Sequence, residues 1–163
     1  MDLSTLTIEA DDPVGETARK LINELCAEMA GRYGALPSPF SWDEAAAPRT
    51  VFLVARLHGE PIGCGALRRF DDDIAEIKRM YVVPPGRGQG VARQILVTLE
   101  RYARQLNYCT IRLETGIRQP EAQRLYESMG YQRIPAFGSY VGNQTSVCFE
   151  KEFATGKLPR DIN

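Results

Sequence analysis

Val82-Val83-Pro84-Pro85-Gly86-Arg87-Gly88-Gln89-Gly90-Val91-Ala92 is the stretch on which the fold turns. Pro84 and Pro85 end the apolar run before them, because proline cannot donate to a sheet ladder. Beyond the glycines, Val91, Ile95, Leu99, Tyr102 and Leu106 recur at intervals of four, four, three and four residues. Leu96 and Ala103 lie alongside them, so the spacing predicts an amphipathic helix over Gly88–Leu106, stopped by Asn107. A strand, a glycine turn and a helix start in that order aim several backbone N–H groups at one place, at the positive end of a helix dipole. Phosphate or pyrophosphate suits such a cradle. Arg87 adds a cation, and Gly88 and Gly90 leave room for close approach.

Outward from this stretch the pattern alternates between strands and helices. Upstream, Ile74–Val83 reads as a strand, and Val51–Leu57 with Ile62–Arg69 as a hairpin turned at His58–Pro61. Leu3–Glu9 alternates like a first strand. Asp11-Asp12-Pro13 then opens a helix running to about Ala30, with Ala18, Leu21, Ile22, Leu25 and Met29 on one stripe. Ala35–Thr50, rich in proline, reads as loop with a short helix at Trp42–Ala47. Downstream come a strand at Cys109–Thr115, a helix at Pro120–Met129, and strands at Tyr131–Ile134 and Ser146–Phe153. The order β-α-loop-β-β-β-α-β-α-β-β is mixed α/β in one domain over residues 1–163, with parallel pairing expected across a helical crossover.

Composition narrows the function classes. The chain has 163 residues, 44% hydrophobic and 25% charged, with a formal net charge of -1. No global basic field exists to gather nucleic acid or an anionic membrane. No apolar run approaches the roughly 20 residues of a membrane span. The N-terminus lacks the basic and apolar regions of a secretory signal. Cys26, Cys64, Cys109 and Cys148 are scattered, which suits small buried side chains in a reducing cytoplasm rather than a disulfide framework or a zinc site. With one histidine, His58, a multi-histidine metal site is excluded, and no metal is expected.

A Walker A loop needs a lysine after its glycines, and none follows here. A dinucleotide fingerprint needs a third glycine at position 91, which is Val91. Arg87, Gly90 and Ala92 spell R-x-x-G-x-A instead. That pattern resembles the pyrophosphate signature of the GNAT acetyltransferases. Two neighbouring segments strengthen the resemblance. Ala75–Val82 looks like that family's central strand, and Glu121–Tyr131 like its later motif ending in Y-x-x-x-G-F. Leu113–Gly116 resembles the strand between them. The likeness is closest over residues 74–134; Gln119 stands where the family often has Asn, and Tyr131 replaces Phe.

The resemblance implies a GNAT-like acyl-CoA N-acyltransferase fold, with a central mixed sheet of about six or seven strands and about four helices. It implies acetyl transfer from acetyl-CoA to a primary amine through a tetrahedral intermediate. Met80, Tyr81 and Val82 would bind the pantetheine arm as an added strand would, with the Val82 N–H as oxyanion donor. Arg87, Gly88, Gln89, Gly90, Val91 and Ala92 would hold the pyrophosphate, and Gln119 would add a coenzyme contact. Glu76 matches the position of a catalytic glutamate, against the alternative of an ion pair with Lys78 on the same strand face. Glu114 is the other carboxylate candidate. Tyr126 occupies the general-acid position, where a phenol of pKa about 10 would protonate a thiolate of about 8.5. The family's acceptor pocket corresponds to segments holding Tyr33, Phe40, Trp42, Asp43, Glu44, Phe137 and Tyr140. Neither nucleic acid nor membrane is expected as a partner, and a homodimer is common in such folds. Two alternatives stand beside this reading: a catalytically silent coenzyme-A-binding module, and a nucleotide- or nucleic-acid-binding domain, against which the missing P-loop lysine, the missing third glycine and the near-neutral charge count. Acyl groups other than acetyl also stay open.

Overall fold

A computed structural model describes residues 2–34 and 47–153. The short helix expected at Trp42–Ala47, and the acceptor candidates Phe40, Trp42, Asp43 and Glu44, lie wholly or mostly outside the described residues.

Seven strands form one sheet: β1 (Leu6–Ala10), β2 (Val51–Leu57), β3 (Glu60–Arg69), β4 (Ile74–Val82), β5 (Thr110–Gly116), β6 (Gln132–Ile134) and β7 (Ser146–Glu152). Their order is β1-β2-β3-β4-β5-β7-β6. Every neighbouring pair is antiparallel except β4 and β5, which are parallel. Three α-helices occur among the described residues, where about four were expected: α1 (Glu16–Tyr33), α2 (Val91–Gln105) and α3 (Pro120–Ser128). Two apolar layers fill the two faces of the sheet. Leu53, Leu67, Ile77, Ile111 and Phe149 pack with Ile95 and Leu99 of α2 and Tyr126 of α3. On the opposite face Phe52, Val54, Ala66 and Tyr81 pack with Ala18, Leu21 and Leu25 of α1.

Element ends differ from the sequence expectation for local reasons. β1 starts at Leu6 because Asp2 folds the chain before it, accepting from Ser4 N at 2.8 Å, and Leu6 N bonds Leu3 O at 2.9 Å. Asp12 does not open α1; it makes a turn with Val14 N at 3.0 Å, and the helix begins after Gly15. α1 also runs past Ala30 to Tyr33, closed by Gly34 at φ 70 with its N–H on Ala30 O. α2 starts at Val91 and not at Gly88, because Gly88 (φ 75) and Gly90 (φ 82) are left-handed and break the helical path.

β4 is not regular either. Ala66 lies opposite Lys78, yet Cys64 lies opposite Tyr81, so β4 carries an extra residue across from Gly65. Arg79 sits at the bulge with φ 60, and Cys64 Sγ donates to its carbonyl at 3.3 Å.

Candidate active site

The β4–β5 seam is short. It pairs Ile74 with Thr110, Ala75 with Ile111, Glu76 with Arg112 and Ile77 with Leu113, and then stops. β4 continues to Val82, still paired with β3, and β5 continues to Gly116, still paired with β7. The two strands therefore diverge as a fork with facing unpaired edges. Val83 N donates to Ile62 O of β3 at 2.9 Å. Successive N–H groups of a strand point to opposite edges, so the Val82 N–H points into the fork. A cleft of about 1420 Å³ fills the fork and reaches the start of α2.

At the mouth of the cleft lies the glycine turn. Pro84–Gly86 forms one 3-10 turn, and the Arg87 N–H is used on Pro84 O at 3.2 Å. The N–H groups of Gly88 through Arg93 have no acceptor among the described residues; the first bond of α2 is Gln94 N to Gly90 O at 3.1 Å. Gly88, Gly90, Val91, Ala92 and Arg93 line the cleft, so successive unsatisfied donors face it at the helix N-terminus. The glycines are required by their left-handed φ; a Cβ at Gly88 or Gly90 would meet no protein atom within 4 Å.

Arg87 lines the cleft at this end as well. Its Nε donates to Val82 O at 2.8 Å and its Nη2 pairs with Glu28 Oε1 at 2.7 Å. Arg93 and Arg124 also line the cleft at this end. Gln119 lines it too, but its side-chain oxygen accepts from Gly116 N at 2.9 Å and from the Tyr33 hydroxyl at 3.3 Å. Met80, Tyr81 and Val82 form the β4 wall.

The titratable groups gather nearer the crotch of the fork. Tyr126 is 5% exposed, packed edge-on to Tyr131 at 5.9 Å and tilted against Phe149 at 6.0 Å, yet it lines the cleft. Its hydroxyl has no hydrogen-bond partner among the described residues. Burial holds the phenol above the usual tyrosine range, with the Glu114 charge adding to it. Glu114 also lines the cleft, and burial pushes its carboxyl up to about 6; the Glu76 charge adds to the shift, while the Ser146 hydroxyl and Lys78 oppose it.

Glu76 is set differently. It is 1% exposed, with Arg68 Nε at 2.7 Å from Oε1 and the Tyr140 hydroxyl donating to Oε2 at 2.6 Å. Its ion-pair partner is therefore Arg68 across β3, not Lys78. Register explains this: Arg68 opposes Glu76, which opposes Arg112, which opposes Glu150. The four make a row of alternating charge across the sheet, closed by Arg112 Nε to Glu150 Oε2 at 2.7 Å. Glu76 meets the cleft through Tyr140, whose ring edge packs on Phe137 at 5.3 Å.

Sequence reasoning missed Arg68 and offered Lys78 in its place as the ion-pair partner. The Arg68 pairing was available, since Arg68 and Glu76 lie equally far from the Asp71-Asp72-Asp73 turn. At the far wall, the end of α1 clasps the β5–α3 turn. Arg32 pairs with Glu121 at 2.7 Å, Arg118 Nη1 donates to Arg32 O at 2.7 Å, and Arg118 N donates to the Tyr33 hydroxyl at 3.1 Å.

Comparison with known proteins fits this geometry. The family model for GNAT acetyltransferases matches residues 18–131. The chain belongs to the GNAT acetyltransferase family. An IAA acetyltransferase of Azospirillum brasilense is 32% identical over 151 residues, covering 91% of this chain and 99% of that protein. A Klebsiella pneumoniae structure assigned to the acyl-CoA N-acyltransferases superposes with TM-score 0.80 and 35% identity, over 90% of this chain and 97% of that one. A GNAT acetyltransferase of Elizabethkingia anophelis, solved with acetyl-CoA bound, shares the fold at TM-score 0.67 and 18% identity, over 92% and 99% of the two chains. This GNAT protein is thus an acyltransferase with a mixed α/β fold.

Proposed function

We propose that this protein transfers an acetyl group from acetyl-CoA to a primary amine by direct attack. The observation that carries the reading is the open β4–β5 fork with unsatisfied N–H groups from Gly88 to Arg93 at its mouth. Those amides suit a pyrophosphate, and the helix dipole of α2 adds to them. Gly88, Gln89, Gly90, Val91 and Ala92 hold it through the main chain. The Arg87 N–H is taken within the 3-10 turn, so the Arg87 side chain acts by bracing Val82 O and Glu28. The facing edges of Met80–Val82 and β5 hold the pantetheine as a strand between strands. Gln119 shapes the turn at Gly116 and keeps its amide nitrogen for the coenzyme.

When bound, acetyl-CoA supplies an acyl group activated as a thioester. The Val82 N–H, aimed into the fork, donates to the carbonyl oxygen as charge builds on it. The attacking amine must lose a proton, since a free alkylamine resembles lysine with a pKa of about 10.4. Glu114 takes that proton; it faces the cleft and its carboxyl is pushed to about 6, near working pH. Glu76, the sequence candidate for base, acts through Tyr140, whose hydroxyl it orients. As the new C–N bond forms and the C–S bond breaks, Tyr126 gives its proton to the departing sulfur. Burial makes both phenolate and thiolate costly, so the transfer depends on their difference, not on either alone.

Thermal unfolding with acetyl-CoA, ATP and NAD, followed by an amine screen for released coenzyme A thiol, tests the reading. Ligand at about 100 times its Kd stabilises the fold by about 2.7 kcal/mol, a rise of roughly 5–11 °C at this size. We expect that rise with acetyl-CoA alone, thiol release with some amine, and a kcat at least about tenfold lower in Tyr126→Phe. No shift, or the same shift with ATP, overturns it. A shift with no turnover of any amine identifies a silent coenzyme-binding domain.

A further inference from the structure

Among the described residues, three carboxylates line the cleft: Glu28, Glu114 and Glu121. Glu28 is paired with Arg87 at 2.7 Å, and Glu121 with Arg32 at 2.7 Å. Glu114 makes no ion pair among the described residues. Lys78 lines the same cleft, half-buried, and likewise makes no hydrogen bond or ion pair among the described residues.

Topology makes these two a pair of hands. Ile77 and Leu113 are the last opposed residues of the β4–β5 seam. Lys78 and Glu114 follow them directly, one on each arm of the fork. Ile77 and Leu113 point into the layer under α2. Alternation turns Lys78 and Glu114 to the other face, where Ala66, opposite Lys78, packs in the layer under α1. The two side chains thus face each other across the crotch, close enough for Lys78 to lower the Glu114 pKa, without bonding. The Ser146 hydroxyl, buried and lining the cleft, stands beside Glu114 and favours its ionised form.

We propose that Lys78 selects the acceptor: the substrate amine also carries a carboxylate, which Lys78 binds while Glu114 receives the amine end. This rests on the acetyltransferase reading above. An anionic group of the coenzyme does not account for Lys78. The phosphate cradle begins past Val82, and four residues of strand span roughly 13 Å, beyond the reach of a lysine already half-buried at the crotch. A monoamine without a carboxylate would leave the Lys78 ammonium desolvated and unmatched beside the bound substrate. A substrate with one cationic and one anionic end satisfies both hands at once.

The test compares amines in matched pairs: each of the common amino acids against its decarboxylated amine, with thiol release as readout and acetyl-CoA saturating. We expect kcat/KM for the best amino acid to exceed that of its decarboxylated partner by tenfold or more. Lys78→Met is expected to collapse that ratio to near one, chiefly by raising KM for the amino acid. Lys78→Arg, which keeps the charge, is expected to restore part of it. If Lys78 serves only to stabilise ionised Glu114, Lys78→Met slows both members of each pair by one factor and shifts their pH profiles alike; that overturns the proposal. So does turnover of decarboxylated amines only, or of no carboxylate-bearing amine, by a protein that acetyl-CoA stabilises. Absence of acetyl-CoA stabilisation removes the acetyltransferase reading itself, a different failure. Unfolding midpoints of the variants separate lost selectivity from lost fold.

Discussion

At the scale of single residues, two glutamates on neighbouring strands are held differently by their surroundings. Glu76 has both oxygens engaged, by Arg68 and by Tyr140. Glu114 is largely buried with no ion pair among the described residues, and burial pushes its carboxyl up to about 6 from the ordinary 4.5. A folded-state pKa above the unfolded one means that the folded state binds the proton more tightly. Ionised Glu114 therefore costs stability, and the cost grows as pH rises from about 4.5 to about 6 and is complete above that. The shift corresponds to about 2 kcal/mol. Glu114→Gln is expected to raise the unfolding midpoint at pH 8, with the gain vanishing below pH 4.5, while turnover falls and loses its rise through pH 6. Unchanged turnover in that variant would remove Glu114 as base. The sequence could not rank these carboxylates, because strand position says nothing of which oxygen is already bonded. Tyr126 came from the family resemblance, and its place in α3 puts it on the cleft wall.

Elements were the most legible level. Helical spacing located α2, because that period follows directly from which face is buried. The irregularities were not legible. Nothing in Lys78-Arg79-Met80 announces an extra residue, since the bulge is a mismatch between two strands and belongs to neither alone. Gly65 is its counterpart. A Cβ there would stand 2.7 Å from Met80 Sδ, 2.8 Å from Ile95 Cγ2 and 3.0 Å from Leu99 Cδ1. Gly65 thus lets α2 lie close on the bulged strand. Gly65→Ala is expected to cost about 1–3 kcal/mol in chemical denaturation. It should also weaken acetyl-CoA binding, because α2 carries the cradle. A variant of wild-type stability would show that α2 rides freely over β3.

Across the whole molecule, the fork was the feature hardest to foresee. A parallel seam was expected from the crossover, but its length depends on contacts between segments more than thirty residues apart. The two arms are braced elsewhere. Glu100 of α2, 5% exposed, is bonded by Lys151 Nζ of β7 at 3.1 and 3.2 Å and by the Tyr131 hydroxyl at 3.0 Å. Removing the lysine would leave that carboxylate buried without its counter-ion. Lys151→Met is expected to lose about 3 kcal/mol, read as a fall of roughly 6–12 °C in the unfolding midpoint. An unaltered midpoint would mean that Glu100 is solvated in its own right. The cradle at Gly88–Arg93 has a different consequence for the history of such a chain. A binding site drawn in main-chain atoms is nearly blind to side-chain drift: Gln89 can become almost anything, while Gly88 and Gly90 are anchored by backbone conformation alone. A lineage built this way can change its side chains widely and keep one architecture, and the fold is indeed shared at 18% identity.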